Sequence, residues 1–207
     1  MREHLGIRLL RLGWLFLWRP RRAVAELAED PAPLGLGILF LLISLTVYSG
    51  VAVVYVVVGH RPAWTPLTLF PAEQWYLVQA FITIPIGLVT TFAYSGIAYA
   101  VCRGFGGRGA FDTTFASSAF SLHLPMALLM WIPEVLVAPL LYGASPHHLP
   151  WPAWIELLRM FLVPMPWAGI VSALALAKLH QISTPKALVA VLLGAAPTSL
   201  VAAAFLR

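Results

Sequence analysis

The sequence predicts an all-α integral membrane protein, a five-transmembrane-helix bundle with an N-terminal amphipathic interfacial helix. Of its 207 residues, 60% are hydrophobic and 10% are charged, whereas soluble domains average about 45–50% and about 25%. The charged residues are also confined to short clusters, and the uncharged stretches between them are each about as long as one bilayer crossing. These features exclude a soluble enzyme and a disordered tail, and the single cysteine excludes a disulfide scaffold.

Residues 1–33 are predicted to form a cytoplasmic interfacial segment that precedes a membrane domain at 34–207. Basic residues recur along one face of 3–19, while Trp and Leu side chains cover most of the remainder. Arginines in the middle of this stretch make it a poor membrane crossing, and Pro20 suits the first turn of a second short helix. The bases expected to contact anionic lipids are Arg8, Arg11, Arg19, Arg21 and Arg22. A surface that docks a protein is the alternative role for these bases.

Five spans are predicted from the uncharged stretches, because a helix rises about 1.5 Å per residue and needs about 20 residues to cross the hydrocarbon. The predicted spans lie at about 34–58, 75–102, 113–142, 154–177 and 187–206. The third contains Pro125, Pro133 and Pro139, so we expect it to be kinked or broken. Small residues such as Gly96 and Ala100 are expected to let helices approach closely.

The basic residues predict the orientation of the chain in the membrane. Ten of the thirteen Lys and Arg residues precede span one or lie in the turns after spans two and four. The positive-inside rule then places the N-terminus in the cytoplasm and, after five crossings, the C-terminus outside. We therefore expect a multi-pass protein of the inner (cytoplasmic) membrane. Its expected partners are membrane lipids and either another protein or further copies of itself, and no nucleic acid is expected.

A glycine-rich turn at 103–112 joins spans two and three on the predicted cytoplasmic side. Gly106, Gly107 and Gly109 permit positive φ angles and a tight reversal, and Asp112 is placed to cap the next helix. Glycine amides and two arginines could also hold a phosphate. The stretch has no Walker pattern, no Gly-Lys-Ser/Thr ending and no preceding strand, so no nucleotide or other cofactor is expected.

Three short motifs suggest a family. They are the proline-containing stretch at 17–23, the turn at 106–112 in which Gly-Gly is followed by a small, an aromatic and a polar residue, and the stretch 120–125 with its Phe and Pro. Together they resemble the Yip family, membrane proteins that interact with Ypt/Rab GTPases in eukaryotes and have bacterial relatives. The resemblance covers roughly 15–205. It implies five crossings and, in the eukaryotic members, membrane-trafficking and organelle-shaping roles through partner proteins. Richness in Ala, Leu, Arg and Pro indicates a bacterial-type member.

Three ionisable residues are predicted to lie in the outer part of the bilayer, Glu134 in span three and Glu156 and Arg159 in span four. Charges at such depth are costly unless they are paired, so we expect an interhelical ion pair or network. A proton or ion pathway and snorkelling to the interface are the alternatives. His123, close to Pro125, is interpreted either as a hydrogen-bond partner of a carbonyl that the proline frees or as a proton relay.

Neither a metal site nor a catalytic site is expected. His147 and His148 are adjacent, which is a poor arrangement for chelation from one helix face, and no third ligand lies near them in sequence. Cys102 is interpreted as an inert apolar residue. The predicted function is a non-catalytic membrane scaffold or interaction protein that organises partner proteins or the local bilayer. The alternative is a small transporter or channel subunit with a polar path through Glu134, Arg159 and His123.

Overall fold

The computed structural model describes residues 4–59, 71–136, 154, 158 and 162–205. Over these residues it contains helices and no strands. The seven α-helices are α1 Leu5–Trp18, α2 Pro20–Ala28, α3 Pro33–Val57, α4 Trp75–Gly104, α5 Phe111–Met126, α6 Pro164–His180 and α7 Thr184–Phe205. The prediction of an all-helical chain is therefore confirmed for the described part.

Four described helical segments are long and apolar enough to cross a membrane. They are Pro33–Val57, Trp75–Gly104, Phe111–Leu136 and Thr184–Val201, which correspond to predicted spans one, two, three and five. The described helix α6 contains the C-terminal part of predicted span four. Most of the N-terminal part of that span lies outside the described residues, as do Pro139 and the loop 60–70.

Prolines set the boundaries of the lead helices. Pro20 occupies the first turn of α2, where its missing N–H would have no helical partner, and it separates α2 from α1. Pro33 begins α3 in the same way. Between α2 and α3, the Asp30 carboxylate accepts a hydrogen bond from the Ala32 N–H at 2.8 Å, which closes the connecting turn.

Helices α1 and α2 pack against the bundle through one apolar face. Leu12 and Phe16 of α1 and Val24 and Leu27 of α2 are at most 2% exposed, and they join a core cluster that includes residues of α5 and α6. The Phe16 ring stacks on that of Phe120 with 5.1 Å between ring centres. Burial of each large apolar side chain contributes roughly 1.5–3 kcal/mol, so this face favours docking of the lead helices on the bundle.

The third membrane helix departs from regular α geometry where the prolines predict it. Helix α5 passes directly into a π-helical turn at Ala127–Trp131 and then continues in helical form to Leu136. Pro125 and Pro133 flank this turn, and each removes a backbone N–H from the hydrogen-bond ladder. The span is therefore not broken between Phe111 and Leu136, and its departure from α geometry there is a π turn.

Helices α3 and α5 cross closely at Gly37. A Cβ atom added to Gly37 would lie 2.6 Å from the Ala116 Cα, so only glycine fits there. Gly96, which the sequence suggested as a site of close approach, has nothing within 4 Å of such a Cβ position. Among the described residues, the expectation of a close approach at Gly96 is therefore wrong.

Candidate functional site

The glycine-rich turn after α4 meets the turn between α6 and α7. Gly106 has a positive φ of 85°, as a tight reversal requires. The Gly107 N–H then donates to the Cys102 carbonyl at 2.9 Å, and the Arg108 N–H donates to the His180 carbonyl at 3.1 Å. Two turns that are more than seventy residues apart in sequence thus form one structural unit.

His180 lies at the centre of this unit and is fully buried. A Cβ atom on Gly107 would lie 2.9 Å from the His180 Cβ, and one on Gly109 would lie 3.0 Å from the imidazole Cε1. These two glycines are therefore required because their backbone lies directly against the histidine. Sequence reasoning did not single out His180. The available signal was a histidine at the end of a predicted span, two residues after Lys178.

Thr114 determines which imidazole nitrogen carries the hydrogen. The Thr114 hydroxyl donates to the Ala110 carbonyl at 2.7 Å, while the same oxygen lies 3.0 Å from the His180 Nε2. Because the hydroxyl hydrogen is already used, we infer that the His180 Nε2 is the donor. The buried Nδ1 atom is then an acceptor, and it has no hydrogen-bond partner among the described residues.

Burial lowers the pKa of His180, and the nearby positive charge of Arg103 acts in the same direction, so that together they bring this pKa to about 4. Arg103 is itself held by a hydrogen bond from its Nη1 to the Gly107 carbonyl at 3.2 Å. The histidine is therefore neutral near pH 7. It acts as an uncharged link between α6, α5 and the glycine-rich turn.

The outer surface of this unit is basic and carries one exposed aromatic ring. We name it the basic cap, and its exposed residues are Arg103, Phe105, Arg108, Lys178 and Lys186. The Lys186 Nζ lies 5.7 Å from the centre of the Phe105 ring, within the range of a cation–π contact. The turn and the packing beneath it thus present a defined charged surface at one end of the bundle.

The predicted capping role of Asp112 is wrong. Helix α5 begins at Phe111 with Ala110 as the N-cap, and no side chain caps it by a hydrogen bond. Because the helix starts before it, Asp112 lies within the first turn and is exposed. Its negative charge there complements the positive end of the helix dipole instead.

The five N-terminal arginines divide into two groups. Three make ion pairs within the lead segment, namely Arg8 with Asp30, Arg11 with Glu26 at 3.4 Å, and Arg22 with Glu26 at 3.1 Å. Arg19 and Arg21 are exposed and make no ion pair within the described part of the chain. Sequence reasoning treated all five as equivalent, because the pairing depends on how α1 and α2 pack together.

Glu134 lies just beyond the π turn and accepts a hydrogen bond from the Tyr55 hydroxyl of α3. Its predicted partners Glu156 and Arg159 lie outside the described residues, so the ion network stays a prediction. Sequence reasoning missed Tyr55. The available signal was its spacing of seven from Tyr48, which places both tyrosines on one face of α3.

His123 contacts α4 rather than a carbonyl freed by the proline. Its Nε2 lies 2.9 Å from the Thr91 Oγ1, whose hydroxyl also contacts the Gly87 carbonyl at 2.8 Å. The carbonyl interpretation is therefore wrong, because the ring is directed at a polar side chain of the neighbouring helix. The proton-relay interpretation stays a prediction.

The remaining candidates for chemistry give no site in the described part of the chain. Cys102 is fully buried. The described residues include no group of three or more His, Cys, Asp or Glu that could hold a metal ion. His147 and His148 lie outside those residues.

These observations define the class of the protein as a multi-pass helical membrane protein. The Yip1 domain is matched over residues 14–206, and the chain therefore belongs to the Yip1 domain family. This family generally consists of non-catalytic membrane trafficking proteins. No curated protein and no solved structure matches the chain. The match begins within α1 and so includes most of the docked lead segment.

Proposed function

We propose that this chain acts without catalysis as a membrane scaffold or interaction protein, and that it organises a partner protein or the local bilayer. It is a bacterial-type member that crosses the inner membrane five times, with its N-terminus in the cytoplasm and its C-terminus outside. The positive-inside rule supports this orientation, because the basic cap and the N-terminal arginines belong to the same predicted side.

The basic cap is the observation that carries the proposal. Its exposed Phe105 lies on a turn that is fixed by the backbone bonds of Gly107 and Arg108 and by the buried His180. A surface that is already ordered loses little conformational entropy on binding. An aromatic side chain surrounded by arginine and lysine fits a partner surface that is acidic and partly apolar.

The polar groups within the membrane helices support the scaffold over the transporter alternative. Glu134 bonds to Tyr55 and His123 contacts Thr91, so both bridge neighbouring helices. Eleven residues of helix separate Glu134 from His123, which corresponds to about 16 Å. Such bonds hold helices together, which is the requirement for a stable scaffold.

Site-specific crosslinking in native membranes tests the proposal. A photoreactive residue at position 105 should give a discrete protein adduct by mass spectrometry, either with another protein or with a second copy of the chain. The same residue at position 200 is the control, because Leu200 is 74% exposed on α7 and should contact lipid. Absence of a protein adduct from position 105 would contradict the scaffold. Ion or solute flux in liposomes that Glu134→Gln abolishes would favour the transporter.

A further inference from the structure

The turn between α1 and α2 carries positive charge that the lead segment does not neutralise. Residues 4–30 contain five arginines and three acidic residues. Arg19 and Arg21 are the two arginines that make no ion pair within this segment. We infer that these two arginines form a binding site for the headgroup phosphate of an anionic phospholipid. The inference rests on the proposed function only in placing this turn at the cytoplasmic membrane surface.

The shape of the turn suits a phosphate group. Arg19 and Arg21 open onto a surface concavity that is also lined by Trp18, Pro20, Arg22 and Leu174. Guanidinium groups bind phosphate oxygens through two parallel hydrogen bonds, which makes arginine better suited than lysine for this contact. Arg22 is already bonded to Glu26, so the free positive charge is concentrated on the other two arginines.

The depth of the turn in the membrane follows from the neighbouring aromatic residues. Leu10, Trp14 and Trp18 are 77%, 64% and 60% exposed and follow one another along the same side of α1. The Trp18 ring also lies 6.0 Å from that of Trp167 in α6, which ties this side of α1 to a membrane helix. Tryptophan partitions to the headgroup level, so Arg19 and Arg21 are placed where lipid phosphates lie.

A lipid explains the whole concavity better than a free phosphate does. Trp18 and Leu174 give it an apolar wall beside the arginines. The glycerol and upper acyl chain of a phospholipid would cover that wall, whereas an inorganic ion would contact only the charged part. The arginines alone would bind a phosphate group whether it belongs to a lipid or is a free ion, so an experiment must distinguish the lipid from the free ion.

Native mass spectrometry of the purified full-length protein tests this site. Phosphatidylglycerol and phosphatidylcholine are titrated against the wild type and the double variant Arg19→Gln, Arg21→Gln. Each basic residue near an anionic surface changes affinity by about fivefold, so the variant should lose at least about tenfold in affinity for phosphatidylglycerol. Its affinity for phosphatidylcholine and its melting temperature should not change. Lys178→Gln with Lys186→Gln is the matched control, because it removes the same charge from the basic cap.

Three outcomes would overturn the inference. Unchanged phosphatidylglycerol affinity in the Arg19 and Arg21 variant would remove the site, and an equal loss in the lysine control would show general electrostatic attraction instead. Displacement of the lipid by millimolar inorganic phosphate would identify a free-phosphate site. The conservative variant Arg19→Lys, Arg21→Lys should keep part of the affinity. None of these results alters the crosslinking outcome at position 105, so failure here is separable from failure of the proposed function.

Discussion

Tyr55 and Glu134 form a polar contact between two membrane helices, and each can be tested by a single change. Tyr55→Phe removes the donor to the carboxylate, and the loss of a hydrogen bond to a charged group is about 1.5–3 kcal/mol. We expect the melting temperature in detergent to fall by several degrees. Glu134→Gln should have a smaller effect in the same direction, because the amide oxygen can still accept the bond. Thr46→Val is the control, since this exposed hydroxyl donates only to a carbonyl of its own helix.

The predicted pairing of Glu134 with Arg159 can be separated from the Tyr55 contact by a double-mutant cycle. If the ion pair exists, Arg159→Gln should destabilise the protein, and combining it with Glu134→Gln should add little further loss. Additive losses would contradict the ion pair, whereas the Tyr55 hydrogen bond would be unaffected by that result. Unchanged melting in both single variants would contradict the ion pair.

His180 predicts how the stability of the protein depends on pH. Its pKa is about 4 in the folded protein and about 6.5 when exposed, so the unfolded chain binds the proton first. The contribution of the neutral histidine is therefore complete above about pH 6.5 and is lost as the pH falls from there towards 4. Between these pH values the unfolded chain binds up to one proton more than the folded protein. The free energy of unfolding should therefore fall by about 1.4 kcal/mol for each pH unit, which lowers the melting temperature by roughly 3 °C per unit. Melting in detergent between pH 7.5 and 4.5 measures this loss.

The matched variant for that measurement is His180→Gln, which keeps a hydrogen-bond donor and cannot titrate in this range. Its melting temperature should depend less on pH than that of the wild type. Parallel pH profiles would show that another group is responsible. Arg103 and Tyr99 of α4 lie beside the imidazole, and both are retained in the variant.

At the scale of helices, the crossing of α3 and α5 depends on one missing side chain. Gly37→Ala would place a Cβ atom 2.6 Å from the Ala116 Cα, and backbone cannot move aside without shifting a helix. Overpacking of this kind costs about 1–3 kcal/mol, so we expect a melting temperature several degrees lower. Gly96→Ala is the matched control in open space. It should be neutral or slightly stabilising, because alanine favours helix over glycine by about 1 kcal/mol. Equal effects of the two changes would contradict the close crossing.

The lead helices show how much of an element's role depends on its neighbours. The sequence predicted a basic, amphipathic segment at the membrane surface. In the structure one apolar face of α1 is buried against α5 and α6, while Leu10, Trp14 and Trp18 stay exposed on another side. The segment therefore has two apolar faces. The hydrophobic periodicity of the sequence could not show which of these two apolar faces packs against the bundle.

For the whole molecule, an odd number of crossings predicts that the two ends lie on opposite sides of the membrane. Reporter domains fused to the N- and C-termini should therefore report opposite compartments. Cysteine labelling gives an independent measurement, since the native Cys102 is buried and can be replaced. A cysteine at exposed position 74 should react with an impermeant maleimide from outside, and one at exposed position 105 should not. Both ends in one compartment would contradict five crossings.

The sequence determined the helical, multi-pass character of the protein and the irregularity near Pro125, because hydrocarbon requires long uncharged helices and proline always removes a backbone donor. The family also followed from short motifs in the sequence. Only the tertiary structure decided which arginines are paired, that Gly107 and Gly109 lie against His180, and that Glu134 bonds to Tyr55. Those contacts join residues far apart in the chain. They depend on how whole helices pack, which no local pattern of residues specifies.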